Sequence, residues 1–165
     1  MKKLIGILVC ILLVLTAAVA QDMVEGYWKS IDEDGKTTAA WYISQKDGTL
    51  QGVILKVPGE PDDLLADKCT GNYPGFPIPG DVSKMPLLGT PFIFGLRMRS
   101  PGSWDRGNII DPKDGKMYGC RITFRAAGSA ARYKEDTLEM RGTIGPFGRS
   151  QFWIRTTPTE IALLQ

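Results

Sequence analysis

Apolar residues occupy every second position along much of the chain beyond residue 25. The clearest runs cover 92–98, 118–124 and 138–144, where apolar side chains alternate mostly with polar residues or glycine. A period of two places one face of a strand in a core and the other in water, as in antiparallel sheets. The pattern therefore predicts an all-β domain.

Eight candidate strands follow one another with short turns between most of them. Asp34-Gly35, Asp47-Gly48 and Asp114-Gly115 are strong hairpin signals. Strands in series favour an antiparallel up-and-down meander, and closing it into a barrel removes its exposed edges. An eight-stranded barrel has room for side chains or for one small ligand. The predicted strands cover residues 25–32, 38–46, 49–57, 91–99, 104–110, 116–126, 136–144 and 150–156.

The first twenty residues are typical of a secretory signal peptide. Two lysines precede an apolar run over 4–15, and Ala18-Val19-Ala20 forms a small-residue cleavage site. The run is too short to span a bilayer, and Cys10 lies in its middle, where a lipid-carrying cysteine does not stand. We therefore expect cleavage after Ala20 and a periplasmic or secreted location. The mature chain, residues 21–165, is expected to form one domain without a membrane span.

The charge of the mature chain is balanced. Without Lys2 and Lys3 it carries 18 basic and 18 acidic residues. This balance argues against a nucleic-acid partner, which requires a basic surface. It also argues against electrostatic attachment to anionic lipid.

The chain contains no histidine. Catalysis by Ser-His or Cys-His pairs is therefore excluded, and the two mature cysteines alone cannot build a usual zinc site. We expect no metal and no cofactor. In an oxidising compartment Cys69 and Cys120 are predicted to form a disulfide; the alternative is two buried free thiols.

Residues 58–91 form the one long irregular segment of the sequence, here called the 58–91 loop. It holds seven of the 11 prolines and allows at most one helical turn, at 62–68. Long loops inside compact domains are often lids or binding loops. Apolar residues between Tyr73 and Leu88 predict that it packs against the barrel. It could equally be a wrapping segment that covers one barrel end.

No stretch of the chain predicts a catalytic centre. The stretch Asp111-Pro112-Lys113-Asp114-Gly115 has the composition of a hairpin turn. The spacing of its acidic residues does not match a calcium-binding loop. The acidic clusters at 32–34, 62–63 and 135–136 lie in predicted turns or loops and are best explained as solvated charge. An enzyme is therefore not favoured, and a histidine-free hydrolase is the weakest alternative.

Four residues are predicted to have structural roles. Gly26-Tyr27-Trp28 near the start and Arg155 near the end resemble lipocalins and related calycin barrels, in which arginine packs across tryptophan at the closed end. In this chain the resemblance implies such a contact between Arg155 and Trp28, or between Arg155 and Trp153 on the same strand. Arg141 and Arg149 are interpreted as structural as well, with Arg149 bonding turn carbonyls or a carboxylate near the barrel rim.

An ordered set of motifs resembles one bacterial family. The blocks are Gly26-Tyr27-Trp28, Leu50-Gln51-Gly52, Gly107-Asn108-Ile109-Ile110-Asp111-Pro112, Met140-Arg141-Gly142-Thr143 and Gly148-Arg149-Ser150-Gln151-Phe152-Trp153. They are similar to the exported family called domain of unknown function 2147. The resemblance implies a lipocalin-like β-barrel, with no established activity and no catalytic residues to carry over.

The leading functional prediction is binding of a small apolar or amphipathic molecule within or at the mouth of the barrel. The alternative is an envelope interaction protein with a filled barrel that uses the 58–91 loop as its contact surface. For ligand binding we expect entry beneath that loop, where Phe92 is met first. If they are not plain core, the predicted lining residues are Trp41, Phe92, Phe94, Leu96, Tyr118, Ile122, Phe124 and Met140.

Overall fold

The computed structural model describes residues 21–165. The predicted signal peptide, residues 1–20 with its cleavage site, lies outside the described residues. Within the described part, no helix has the length and apolar character needed to cross a membrane.

Eight antiparallel strands form a closed barrel in which each strand pairs with its neighbour in sequence, and β8 pairs back with β1. The predicted all-β, up-and-down barrel is therefore confirmed. The strands are β1 Gly26–Ile31, β2 Thr37–Lys46, β3 Thr49–Lys56, β4 Ile93–Ser100, β5 Ser103–Asp111, β6 Lys116–Arg125, β7 Thr137–Ile144 and β8 Phe147–Arg155.

Helical structure is limited to two short segments. A 3₁₀ turn covers Val82–Lys84 in the 58–91 loop, and helix α1 covers Pro158–Ala162. Residues 62–68, where we allowed one helical turn, are not helical. The signal for α1 is present in the sequence, because Thr157 and Glu160 form a capping box around Pro158 at the first helical position.

The predicted inward stripe over residues 92–98 is wrong at Phe94, because β4 contains a bulge at this point. Three residues of β3, from Leu50 to Gly52, lie opposite four residues of β4, from Leu96 to Ile93. Such a β-bulge inserts one extra residue and reverses which face the following side chains occupy. Gly95, at φ +73°, supplies the left-handed backbone that the bulge requires.

The bulge places the apolar side chains of β4 on different faces of the barrel wall. Ile93 on β4 is paired with Ile109 on β5 and faces the barrel interior. Phe94 lies outside the barrel against Phe76, with the two ring centroids 5.4 Å apart. Leu96 returns to the interior and is fully buried, and Met98 is half exposed.

One end of the barrel is filled and closed. Trp28, Trp104, Ile122 and Leu138 are almost completely buried there. The Arg155 guanidinium lies 4.1 Å from the Trp28 ring centroid, and the two residues are paired between β1 and β8. Arg155 also donates hydrogen bonds to the carbonyl oxygens of Met23 (2.5 Å) and Glu25 (3.2 Å). It thus joins the last strand to the segment that precedes the first.

Arg155→Met should destabilise the barrel, because it removes a cation–π contact and leaves two carbonyls without their donor. We expect a loss of about 2–4 kcal/mol, which lowers the melting temperature by roughly 6–12 °C in a domain of this size. Arg149→Met is the matched control. Arg149 forms only an exposed ion pair with Glu33, so its loss should lower the melting temperature by less than about 2 °C. Equal melting temperatures for the two variants would contradict this role for Arg155.

The predicted disulfide does not form in the structure, where Cys69 and Cys120 are both free and buried. Cys69 lies beside the β5–β6 turn, against Gly115. Cys120 lies five residues further along β6, about 16 Å from that turn at the rise of a strand. A disulfide joins Cα atoms only roughly 4.4–6.8 Å apart, so the buried free thiols of the alternative interpretation are what the fold allows.

Burial raises the pKa of the Cys120 thiol to about 12. The unfolded chain ionises this thiol near pH 9, so above that pH the unfolded state binds fewer protons than the folded state. The contribution of this thiol to the free energy of unfolding is therefore complete below pH 9. It is lost between pH 9 and pH 12, at about 1.4 kcal/mol per pH unit. The free energy of unfolding, measured by urea denaturation between pH 8.5 and 11, should fall less steeply with pH in Cys120→Ala than in the parent protein. Parallel declines would contradict the buried neutral thiol.

Candidate ligand-binding site

A cavity of about 910 Å³ occupies the other end of the barrel. This end carries the connections β1–β2, β3–β4, β5–β6 and β7–β8. Ser30 and Ala39 line the cavity on one side, and Tyr118 and Met140 line it on another. The barrel is thus filled in one half and hollow in the other, and the hollow half has the size of a small-molecule site.

Two stacked indoles form part of the cavity wall. The Trp41 and Trp153 ring centroids are 4.9 Å apart, with 21° between the ring planes. Trp41 Nε1 donates to Ser30 Oγ at 3.4 Å, and Trp153 Nε1 donates to Gln151 Oε1 at 3.0 Å. With both indole N–H groups satisfied, the pair is fixed in orientation and presents apolar surface to a ligand.

The remaining deep wall is largely aliphatic. Its side chains come from strands on several sides of the barrel and from the 58–91 loop, and most are buried. An apolar group that replaced water against this wall would bind favourably. The aliphatic lining residues are Ala39, Ile54, Leu64, Leu87, Ile109 and Met140.

The mouth of the cavity is charged, with equal numbers of each sign. Two pairs are visible: Asp67 with Lys68 at 3.3 Å, and Glu33, just outside the cavity, with Arg149 at 3.0 Å. Arg149 therefore contacts a rim carboxylate in an exposed position. The charged residues lining the mouth are Glu60, Asp67, Lys68, Asp111, Lys113 and Arg149.

The 58–91 loop both wraps the barrel and contributes to the cavity. Leu65 bridges to Pro86 inside the loop, and Phe76 covers Phe94 on the outer wall. Tyr73 Oη donates to the carbonyl oxygen of Gly115 at 2.7 Å, which fastens the loop to the β5–β6 turn. Three leucines of the loop, at 64, 65 and 87, line the cavity.

Of the eight predicted lining residues, the structure brings three to the cavity: Trp41, Tyr118 and Met140. The other five do not line it. Leu96, Ile122 and Phe124 belong to the filled half, where the Phe124 ring lies 6.4 Å from that of Trp28. Phe94 lies outside the barrel, and Phe92 is fully buried just before β4 without reaching the cavity wall.

Several lining residues were missed by the sequence analysis. Gln151 and Trp153 alternate along β8, so following the period of two through the last strand would have found them. Leu64 and Leu87 come from the irregular loop, where no periodicity indicates which side chains turn inward.

Gly115→Ala should loosen the 58–91 loop. A β-carbon at Gly115 would overlap the carbonyl oxygen of Lys68, and its φ of +69° is already unfavourable for alanine. Gly128→Ala is a matched control with φ +76° and nothing within 4 Å of the added carbon. We expect Gly115→Ala to cost roughly 2 kcal/mol more than the control and to speed amide exchange at 66–73. Equal exchange in both variants would contradict this anchor.

Comparison with known proteins places the chain among barrels of similar architecture. A family model described as an uncharacterized protein conserved in bacteria, domain of unknown function 2147, matches residues 26–155. Among solved structures, one similar chain is the protein HP1028 from Helicobacter pylori, reported to belong to the lipocalin family. It shares 18% identity at a TM-score of 0.64, covering 85% of this chain and 87% of that one. Curated protein sequences give no significant match.

Proposed function

From the membership of this chain in the family of domain of unknown function 2147 and from its half-hollow barrel, we propose that it binds a small amphipathic molecule. The observation that carries the proposal is the cavity of about 910 Å³ with the stacked Trp41–Trp153 wall. A packed core leaves few voids larger than a water molecule, so a space of this size is better explained as a binding site than as imperfect packing.

The two zones of the cavity indicate which part of the ligand lies where. The aliphatic and indole surfaces favour an apolar body, such as an acyl chain or a flat ring, in the deep part. Three acidic and three basic side chains line the mouth, so neither sign of charge is selected strongly. We therefore propose an uncharged or zwitterionic head group at the mouth. In an exported protein the ligand would be met in the periplasm or outside the cell.

Gly142→Leu tests the site by filling it. Gly142 lines the cavity and has ordinary backbone angles, and an added β-carbon would meet only Tyr118, at 3.7 Å. The substitution adds volume without removing a contact, so we expect at least a tenfold loss of affinity for the neutral probe N-phenyl-1-naphthylamine. The melting temperature should change little. Probe fluorescence during titration measures the affinity.

Thr143→Leu is the control. It lies one residue further along β7, on the outer face of the barrel, and should leave probe affinity unchanged. A natively folded parent protein that binds no neutral, anionic or cationic amphipathic probe would overturn the proposal. The alternative of a protein-interaction module, with the 58–91 loop as its contact surface, would then take its place.

A further inference from the structure

The outer face of β4–β7 carries an unusual concentration of arginine. Six of the nine arginines of the chain lie there, with only two acidic residues, Asp105 and Glu139. Residues 21–165 as a whole carry 18 basic and 18 acidic residues. The local excess of four positive charges on this face is therefore balanced by a negative excess elsewhere in the molecule. The six are Arg97, Arg99, Arg106, Arg121, Arg125 and Arg141.

Two of these arginines stand directly opposite each other. Arg121 on β6 is paired with Arg141 on β7, and both side chains point outward because they alternate with the buried Cys120, Ile122 and Met140. Like charges in opposed positions on a sheet are destabilising. Within residues 21–165, neither has an acidic side chain within 4.0 Å of its guanidinium; Arg141 reaches only Ser150 Oγ, at 3.4 Å.

A third arginine is brought to the same place by a bulge. Between Trp104 and Gly107, β5 has one residue more than the opposing stretch of β6 from Ile122 to Cys120. The extra residue lets Asp105 and Arg106 both face outward, opposite Arg121. Arg106 has φ +60°, a conformation that costs energy for a residue with a side chain and that concentrates at functional sites.

The nearby acids do not neutralise this cluster. The Glu139 carboxylate accepts from Arg125 at 2.7 Å and from Ser150 at 3.1 Å. Burial acts to raise the pKa of Glu139, but these hydrogen bonds outweigh it and the net pKa is lowered, so Glu139 stays ionised and engaged with Arg125. Asp105 is shared at long range between Arg99 (3.9 Å) and Arg106 (3.8 Å).

We propose that Arg106, Arg121 and Arg141 form an oxyanion site for a phosphate ester. They line a groove of about 310 Å³ on the outer wall, separate from the cavity of the barrel. Gly107, Gly119, Thr143 and one acidic residue, Asp105, also belong to its lining, so the groove holds three arginines and one carboxylate. Arginine presents planar, forked donors that match the oxygens of phosphate. A bound phosphate would offset both the opposed charges and the local backbone strain. The same chemistry is offered by a soluble phosphate ester or by a phospholipid head group.

The first test compares thermal melts in millimolar inorganic phosphate with melts in chloride of equal ionic strength. We expect phosphate to raise the melting temperature of the parent protein by roughly 2–6 °C. Arg121→Gln and Arg106→Gly should reduce that rise to less than about 1 °C. In chloride both variants should melt at or above the parent temperature, because each relieves a cost of the empty site. If these arginines were purely structural, replacing them would instead lower the melting temperature in chloride.

Lys46→Gln is the control for loss of one positive charge, since Lys46 is exposed at the β2–β3 turn, away from the groove. It should keep the full response to phosphate. No phosphate-specific rise in the parent, or an equal rise in Arg121→Gln, would overturn the proposal. Flotation with vesicles of phosphatidylcholine and phosphatidylglycerol then separates the sources. If the parent protein floats with the vesicles and Arg121→Gln does not, the site binds a lipid head group. If the parent protein responds to phosphate but does not bind the vesicles, the site binds a soluble phosphate ester.

Discussion

Closure of the barrel between its first and last strands is the constraint on which the rest of the structure depends. The β1–β8 ladder is short, with register at Trp28–Arg155 and Lys29–Ile154. Arg155 strengthens this seam with its contacts to Trp28 and to two carbonyls ahead of β1. Without the seam, two strand edges would be exposed, and the side chains now enclosed would have no common interior.

The closed end also determines where empty space remains. Large side chains such as Trp28 and Trp104 fill the barrel beside the seam. Towards the other end, small interior residues such as Ser30, Ala39 and Gly142 leave room between the walls. The cavity is therefore a consequence of where large and small residues occur along the inward faces. The 58–91 loop adds leucines to its wall.

The sequence predicted the strands and their order well because alternation and hairpin turns are local signals. It predicted inward faces poorly where a bulge intervenes: one extra residue at Phe94-Gly95 invalidates the expected stripe along β4. The depth of a residue along the barrel is also not local. Tyr118 and Phe124 looked equivalent on the same predicted strand, although Tyr118 lines the cavity and Phe124 packs near Trp28 in the filled half. The balanced net charge similarly concealed the arginine face, because sums over the chain do not record which residues share a surface.

The four tryptophans are divided evenly between the two halves of the barrel. Trp28 and Trp104 lie in the sealed half, and Trp41 and Trp153 are stacked on the cavity wall. Two indoles this close couple their electronic transitions, and because the ring planes are 21° apart rather than parallel, we expect the pair to give a circular dichroism couplet that isolated indoles do not give. A molecule that separates or tilts the rings changes that couplet, while the sealed pair supplies a constant background. The protein thus contains its own optical reporter of whether the cavity is occupied.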